Sequence, residues 1–313
     1  MDNKLGIAIP VFNNVLFLKE CLKSLELQNI KSFEVFIFDD ASDDDYFSVI
    51  NSYTSLSINY IRNPKNLGAL RNMQHAFNQL KWRYSYIMIM HEDDIIHPQF
   101  IETVYQSLHH YKDPAFIISN FCSFDYIKDL GKLNNVKYEN KNFTLLNKNE
   151  LTQLFLQQQP LAFGSVIYNT NIYKTMDLNF EKYEEFADRP FLLKELGNLS
   201  TIVLLNDSLY YYRSHGLIDN RWKKLLPKNI FNLLKLYQEI LVKSGFLTNK
   251  IFKKEAMAFI FQSFKNLLLT GKKYSYVYYL FCSKKHGFFS FKFALLKIPF
   301  INKLGTGVKK VFS

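Results

Sequence analysis

"SYIMIMHEDD" (85–94) carries a mostly apolar run of six residues directly into a histidine and three consecutive carboxylates. An uninterrupted apolar run closed by charge reads as a strand buried on both faces, with its carboxyl end at a polar crevice. The same grammar recurs in "LGIAIPVF" (5–12), "FEVFIFDD" (33–40) and "SINYIRN" (57–63). Between these runs, "NVLFLKECLKSLEL" (14–27) places Val15, Leu18, Leu22 and Leu25 on one helical face, and "LGALRNMQHAFNQL" (67–80) is a second helix. Alternating strands and helices predict an α/β fold with a mainly parallel sheet. In such a sheet ligands sit outside the carboxyl ends of the strands. Asn13, Asn14, Asp39, Asp40, Asn63 and the acids at 92–94 are therefore expected to share one crevice.

The chain has 313 residues, enough for a large core. Its formal charge of +11 predicts attraction to something acidic, whether nucleic acid, anionic lipid or a phosphorylated ligand. Three cysteines, Cys21, Cys122 and Cys282, are odd in number and far apart, which argues against a disulfide framework or a zinc cluster. Neither a cleavable signal nor a run of about 20 apolar residues is visible, so the expected protein is soluble or peripheral.

Beyond residue 112 the pattern is less regular. "AFIISN" (115–120) and "STIVLLN" (200–206) read as strands; "NKNELTQLFLQQ" (147–158) and "DRPFLLKEL" (188–196) read as helices. After residue 225 the periodicity is helical, with stops expected at Gly245 and Gly271. The organisation read from this is 1–112, 113–222 and a helical 223–313.

Helix N-capping accounts for one or two of the acids in "DDASDDD" (39–45), not for all five. Two acid clusters at neighbouring strand ends repel each other unless a cation or ligand donors offset them. A divalent ion such as Mg²⁺ or Mn²⁺, held by few carboxylates and by phosphate oxygens of a substrate, meets that need. "NPKNLGALRN" (63–72) adds a glycine at a helix start, with Lys65 and Arg71 nearby, which suits a diphosphate.

"IAIPVFNN", "FDDASDD", "NPKNLGALRN" and "MHEDD", in that order, resemble the nucleotide-sugar-binding half of the family 2 glycosyltransferases, which have the GT-A fold. The resemblance is close over 5–105 and continues more weakly to about 216 through "FGSVIYN", "EEFADRPFLLKEL" and "YYYRSHG". It implies a mixed, mostly parallel sheet flanked by helices, and a UDP-sugar as donor. Pro10, Phe12 and Asn13 would line the nucleotide pocket, Asp39, beside Asp40, would accept a hydrogen bond from the base, and Arg71 would close over the nucleotide. Asp93 would hold Mn²⁺ or Mg²⁺. Where the family has the first Asp of its DxD motif this chain has His91, expected to contact ribose or a neighbouring acid or to ligate directly; a register using Glu92 and Asp94 stays open. Asp188 matches the family's catalytic base, with Glu184 and Glu185 as rivals. Arg213 and His215 would contact phosphate or metal.

The segment 272–312 interleaves Lys with Phe, Tyr, Leu and Ile and suits either an interfacial anchor on anionic lipid or packing on the catalytic domain. The resemblance, with this tail, implies a saccharide acceptor on polyprenyl diphosphate in bacterial surface-polysaccharide assembly, and a cytoplasmic location with room for peripheral contact at the inner face of the plasma membrane. A nucleotidyltransferase lacks its glycine- and lysine-rich signature here. A nucleic-acid-binding module is motivated by the charge alone, and the acids would repel phosphate; no nucleic-acid partner is expected. A noncatalytic family member is the remaining alternative, raised by His91.

Overall fold

A computed structural model describes residues 5–124, 143–159, 161–183, 186–197, 199–214 and 227–269. Strands β1 (Leu5–Val11), β2 (Phe33–Asp39), β3 (Ile58–Arg62) and β4 (Tyr86–Ile89) lie in the order β3-β2-β1-β4 and pair in parallel. Helices α1 (Val15–Glu26), the short α2 (Tyr46–Ile50) and α3 (Ala69–Leu80) connect them. β4 stops at Ile89, so residues 91–94 form a turn and not strand. The two-residue β5 (Ile95–Ile96) and helix α4 (Phe100–His110) follow.

The second half builds β6 (Phe116–Phe124), β7 (Phe143–Leu146), α5 (Lys148–Leu156), a 3₁₀ turn (Phe163–Ser165), β8 (Ile167–Asn169), α6 (Phe180–Tyr183), α7 (Asp188–Lys194) and β9 (Ile202–Arg213). β8 is antiparallel to both β4 and β6, while β6 and β9 are parallel. The full order is β3-β2-β1-β4-β8-β6-β9-β5, with β7 on the first residues of β9, which gives a mixed sheet of nine strands among the described residues. The long helices α8 (Pro227–Leu241) and α9 (Asn249–Leu269) complete the described chain. Helix α8 ends four residues before the stop expected at Gly245, which instead occupies the following turn at φ 76°.

Strand alternation divides the core between the two faces of the sheet. Ile7, Ile9, Val35, Ile37 and Met88 pack with α1 and α4. Ala8, Phe36, Phe38, Ile87 and Ile89 pack with α3, α5 and α7 through α9. The carboxyl ends of β1, β2 and β4, with the N-terminus of α3, therefore converge on one edge. Gly271, His215, Glu184, Glu185 and the segment 272–312 lie outside the described residues.

Candidate active site

A cavity of about 460 Å³ opens at that edge, lined by Pro10, Phe12 and Asn14 after β1, Asp40 after β2, Gly68, Asn72 and Met73 at α3, and His91, Glu92 and Asp93 after β4. A crevice is present at the expected edge, but of the polar strand-end residues only Asn14, Asp40, Glu92 and Asp93 line it; Asn63 and Asp94 do not. It gathers Pro10, Phe12, Asp40, His91, Glu92 and Asp93. Asn13, Asp39, Arg71, Asp188 and Arg213 are not on its wall.

The loop after β1 is held through four successive backbone N–H groups. Phe12 donates to Glu92 Oε1 (3.2 Å), Asn13 to Ser42 Oγ (3.1 Å), Asn14 to Tyr46 Oη (2.7 Å) and Val15 to Asp44 Oδ2 (3.0 Å). The side chain of Asn13 returns the contact, accepting from the Asp43 N–H at 2.7 Å, and its backbone sits at φ 50°. Asn14 and Val15 begin α1, and their N–H groups would otherwise offer an anion-binding helix end. Protein oxygens already occupy them, so an anionic ligand here has to be met by other groups.

Asp39 is fully buried. Its Oδ1 accepts from the Ser42 N–H (2.9 Å), and its Oδ2 accepts from the Tyr60 hydroxyl (2.6 Å) and from Arg62, whose other nitrogen donates to the Ser42 carbonyl (2.8 Å). Burial alone would raise its pKa, but the hydrogen bonds from Ser42 and Tyr60 and the Arg62 charge more than offset this and hold the carboxyl below its ordinary value. Asp40, 1% exposed, organises the "NPKNLG" loop: Oδ1 accepts from Asn63 Nδ2 (2.9 Å) and the Leu67 N–H (2.8 Å), and Oδ2 from the Gly68 N–H (2.8 Å). Gly68 takes φ 84°, a conformation costly to side-chain-bearing residues, and caps the start of α3. Asn63 also donates to buried Asn72 (2.9 Å), which donates in turn to the Phe38 carbonyl (2.7 Å). Arg71 and Lys65 are exposed.

Each residue of the turn after β4 has its own partner. Glu92 ties the turn to the β1 loop, accepting from the Phe12 N–H and, at 3.1 Å, from the Tyr46 hydroxyl. Burial pushes its carboxyl up to about 8, assisted by the charges of Asp93 and Asp44 against the lowering effect of those two hydrogen bonds. Asp94 ties the turn to β9: Oδ2 accepts from the Tyr210 hydroxyl (2.5 Å) and Oδ1 from the Arg213 N–H (2.9 Å). His91 Nδ1 lies 3.4 Å from Asp94 Oδ2. Arg213 is buried here: it ion-pairs with Glu20, donates Nε to the Asp93 carbonyl (2.8 Å), and stacks between the rings of Phe17 and Phe124, each 4.5 Å away.

Beneath the turn, a Cβ added to Gly164 would stand 2.2 Å from the Tyr210 hydroxyl and 3.5 Å from Asp94 Oδ2. Only glycine leaves room for the Tyr210–Asp94 bond.

The donor set can be tested against a divalent ion. His91, Asp93 and Asp94 each offer one ligand atom, and the three atoms lie within 4.8 Å of one another. Two carboxylates with an imidazole suit Mn²⁺ better than Mg²⁺, which prefers oxygen alone. Asp93 is the aspartate of the turn that lines the cavity, while both Asp94 oxygens already serve β9.

Asp188 is the first residue of α7 and is half-buried. Phe191, one turn on, packs 5.7 Å from the ring of Tyr168, which also meets Phe163 at 6.1 Å, beside Gly164. A short apolar chain thus joins α7 to the support under the acid turn. Sequence reading missed Tyr46, Tyr60, Arg62, Asn72, Tyr210 and Gly164 as parts of this edge. Tyr60, Arg62, Asn72, Gly164 and Tyr210 lay within quoted stretches without being singled out; Tyr46 lay outside them.

No helix among the described residues is long and apolar enough to cross a membrane. Residues 6–170 match the profile of Glycosyl transferase family 2. Two relatives in Streptococcus pneumoniae serotype 4 are similar: glycosyltransferase GlyA, 24% identical over 240 residues (71% of this chain), and glycosyltransferase GlyG, 22% identical over 222 residues (68% of this chain). The matches span 32% of GlyA and 71% of GlyG, so the chain corresponds to about a third of the former. Among solved structures, S. aureus TarS 1–349 in complex with UDP-GlcNAc aligns with TM-score 0.56 at 17% identity, over 82% of this chain and 71% of that one. Mannosyltransferase PcManGT from Pyrobaculum calidifontis, in complex with GDP-Man and Mn²⁺, aligns with TM-score 0.50 at 11% identity, over 91% and 84%. At these identities the structural likeness is one of fold.

Proposed function

The chain belongs to glycosyltransferase family 2 and has the GT-A fold, and on that premise we propose that it moves a hexose or N-acetylhexosamine from a UDP-sugar to a saccharide acceptor, with inversion and with a divalent cation. The observation that carries this reading is the cavity at the carboxyl edge, with Asp93 and His91 on one wall and Pro10 and Phe12 on another.

Pro10, Phe12 and Met73 give the nucleoside an apolar bed, and Asp40 fixes the loop that closes its far side. Asp39 is the acceptor for the base; the Arg62 side chain, 47% exposed, must swing aside to release it. Asp93, with His91, would hold Mn²⁺ or Mg²⁺, which when bound supplies positive charge against the departing diphosphate. Asp188 takes the proton from the acceptor hydroxyl as that oxygen attacks the anomeric carbon; the new C–O bond forms on the face opposite the breaking bond to diphosphate, so the configuration inverts. The acceptor is a lipid-linked saccharide of surface-polysaccharide assembly, a reading supported by the charge of +11 and the basic, aromatic segment 272–312. The TarS complex with UDP-GlcNAc and the PcManGT complex with Mn²⁺ are consistent with this donor and cation.

A thermal-shift panel of nucleotide sugars with and without Mn²⁺ tests the donor: UDP-sugars should raise the melting temperature, and more so with the cation, by mass action. A shift by another nucleotide with none from UDP-sugars overturns the uracil assignment. Asp188→Asn should keep UDP binding and lose transfer about 10²-fold or more; full activity would remove Asp188 from the role.

A further inference from the structure

The hydroxyl of Tyr46 is placed as a relay between two parts of the cavity wall. The Tyr46 side chain is completely buried at the start of α2. Its oxygen accepts from the Asn14 N–H (2.7 Å) and donates to Glu92 Oε2 (3.1 Å), while the other Glu92 oxygen accepts from the Phe12 N–H (3.2 Å). Phe12 and Asn14 line the cavity on the β1 side; His91 and Asp93, flanking Glu92, line it on the β4 side.

We propose that Tyr46 is a positioning residue which, through Glu92, latches the cation turn to the nucleotide-binding loop, so that a cation at Asp93 orders the backbone at Phe12 and Asn14 before any nucleotide arrives. The proposal deepens the functional reading above and rests on it for the cation. Two features set the latch apart from ordinary core packing. Glu92 is braced between a backbone N–H of one loop and a hydroxyl that itself holds the same loop, so a shift of the turn is felt at Phe12 and Asn14 together. The adjacent N–H groups of Asn13 and Val15 are held by Ser42 and Asp44 in the 39–45 segment, giving an internal reference that the latch does not touch. Cation and nucleotide would then cooperate through the protein as well as through any shared diphosphate, because the first ligand removes an ordering cost that the second would otherwise meet.

Amide hydrogen exchange on the full-length chain, with Mn²⁺ alone as probe, tests the latch without any nucleotide. In the wild type, saturating Mn²⁺ should slow exchange at Phe12 and Asn14 about tenfold, with little change at Val15. Tyr46→Phe keeps the ring and the fold but removes the relay, and should abolish the Mn²⁺ response at Asn14. Tyr53→Phe, which deletes a hydroxyl donating to the Lys19 carbonyl, is the matched control and should behave as wild type. Mn²⁺ binding is counted in the same samples by electron paramagnetic resonance. Bound Mn²⁺ with Asn14 exchange indifferent to it, or an equal response in Tyr46→Phe, overturns the latch and leaves the metal-dependent reading standing. If no Mn²⁺ binds, both fall; protection by Mn²⁺ without any effect of UDP keeps the latch and removes the donor assignment.

Discussion

The two aspartates that end β2 and the glutamate and two aspartates that follow β4 lie two strands apart on one sheet edge, yet the fold uses them in opposite ways. Asp39 and Asp40 are saturated by the protein itself, with donors from Ser42, Tyr60, Arg62, Asn63, Leu67 and Gly68. In the turn after β4 the protein fastens Glu92 to one side and Asp94 to the other and presents Asp93 with His91 to the cavity. From their sequence alone, one cation would be expected to relieve both clusters. The structure relieves the β2 cluster with hydrogen bonds and an arginine, so the proposed cation would have work only after β4. Like charges in a crevice do not by themselves locate a metal; donors from distant segments decide which acids the protein itself satisfies.

The contrast can be pressed experimentally. The largest effect is expected from Gly164→Ala, whose methyl group would displace the Tyr210 hydroxyl from Asp94: denaturant unfolding should show a loss of about 3 kcal/mol from overpacking and a broken buried hydrogen bond, together with loss of Mn²⁺ binding. Asp40→Asn comes next, since an amide NH₂ would face at least one N–H donor. A loss of about 2 kcal/mol is expected, with weaker UDP binding as the 63–68 loop loosens. Asp93→Asn should invert this result, leaving stability unchanged or slightly higher because one negative charge leaves the crowded acid turn, while abolishing the Mn²⁺ effect on UDP binding. If Asp93→Asn destabilises as much as Asp40→Asn, the two clusters are not different in kind.

The smallest effect concerns pH. The Asp39 carboxyl has a lowered folded-state pKa, so its contribution to stability is complete above the ordinary carboxylate range and disappears as pH falls through the folded value. Arg62→Met removes one cause of that shift. Unfolding midpoints of wild type and variant should therefore differ at neutral pH and converge in acid; a difference that grows on acidification would show that Arg62 acts elsewhere.

Much of this architecture was legible in residues alone. Strands β1, β2 and β4 announce themselves because they are buried on both faces and so read as apolar runs, whereas the edge strand β3 is only partly buried and shows mixed residues; α1 and α3 show helical spacing. The second half is harder for a definite reason. β9 extends far beyond "STIVLLN", through "DSLYYYR", because an irregularity opposite Ser119 and Asn120 lets Asn206 and Asp207 leave the ladder: Asn120 Nδ2 donates to the Asn206 carbonyl (2.8 Å) and Ser119 Oγ to that of Asp207 (3.2 Å). Polar residues that look like a strand end are a bulge within one. At the site, the types and order of the acids were readable, but their division of labour was not. Nothing near Glu92 in the sequence points to Tyr46, and nothing near Asp94 points to Tyr210. Arg213 was expected at phosphate or metal because "YYYRSHG" resembles a family segment that returns to the diphosphate; sandwiched between two rings and paired with Glu20, it holds the turn in this structure.

That role of Arg213 bears on how the molecule is assembled in time. Its bond to Asp94 closes a loop of 119 residues, and its pairing with Glu20 spans 193. Contacts at such separations form only after the intervening chain has lost its freedom, which makes them late events in folding. The parallel strands at the amino-terminal end can pair through nearer neighbours, so a ribosome releasing this chain would present a nucleotide-binding shape before a finished centre. Catalytic competence would arrive with the last strand, as a kind of proofreading of the completed fold.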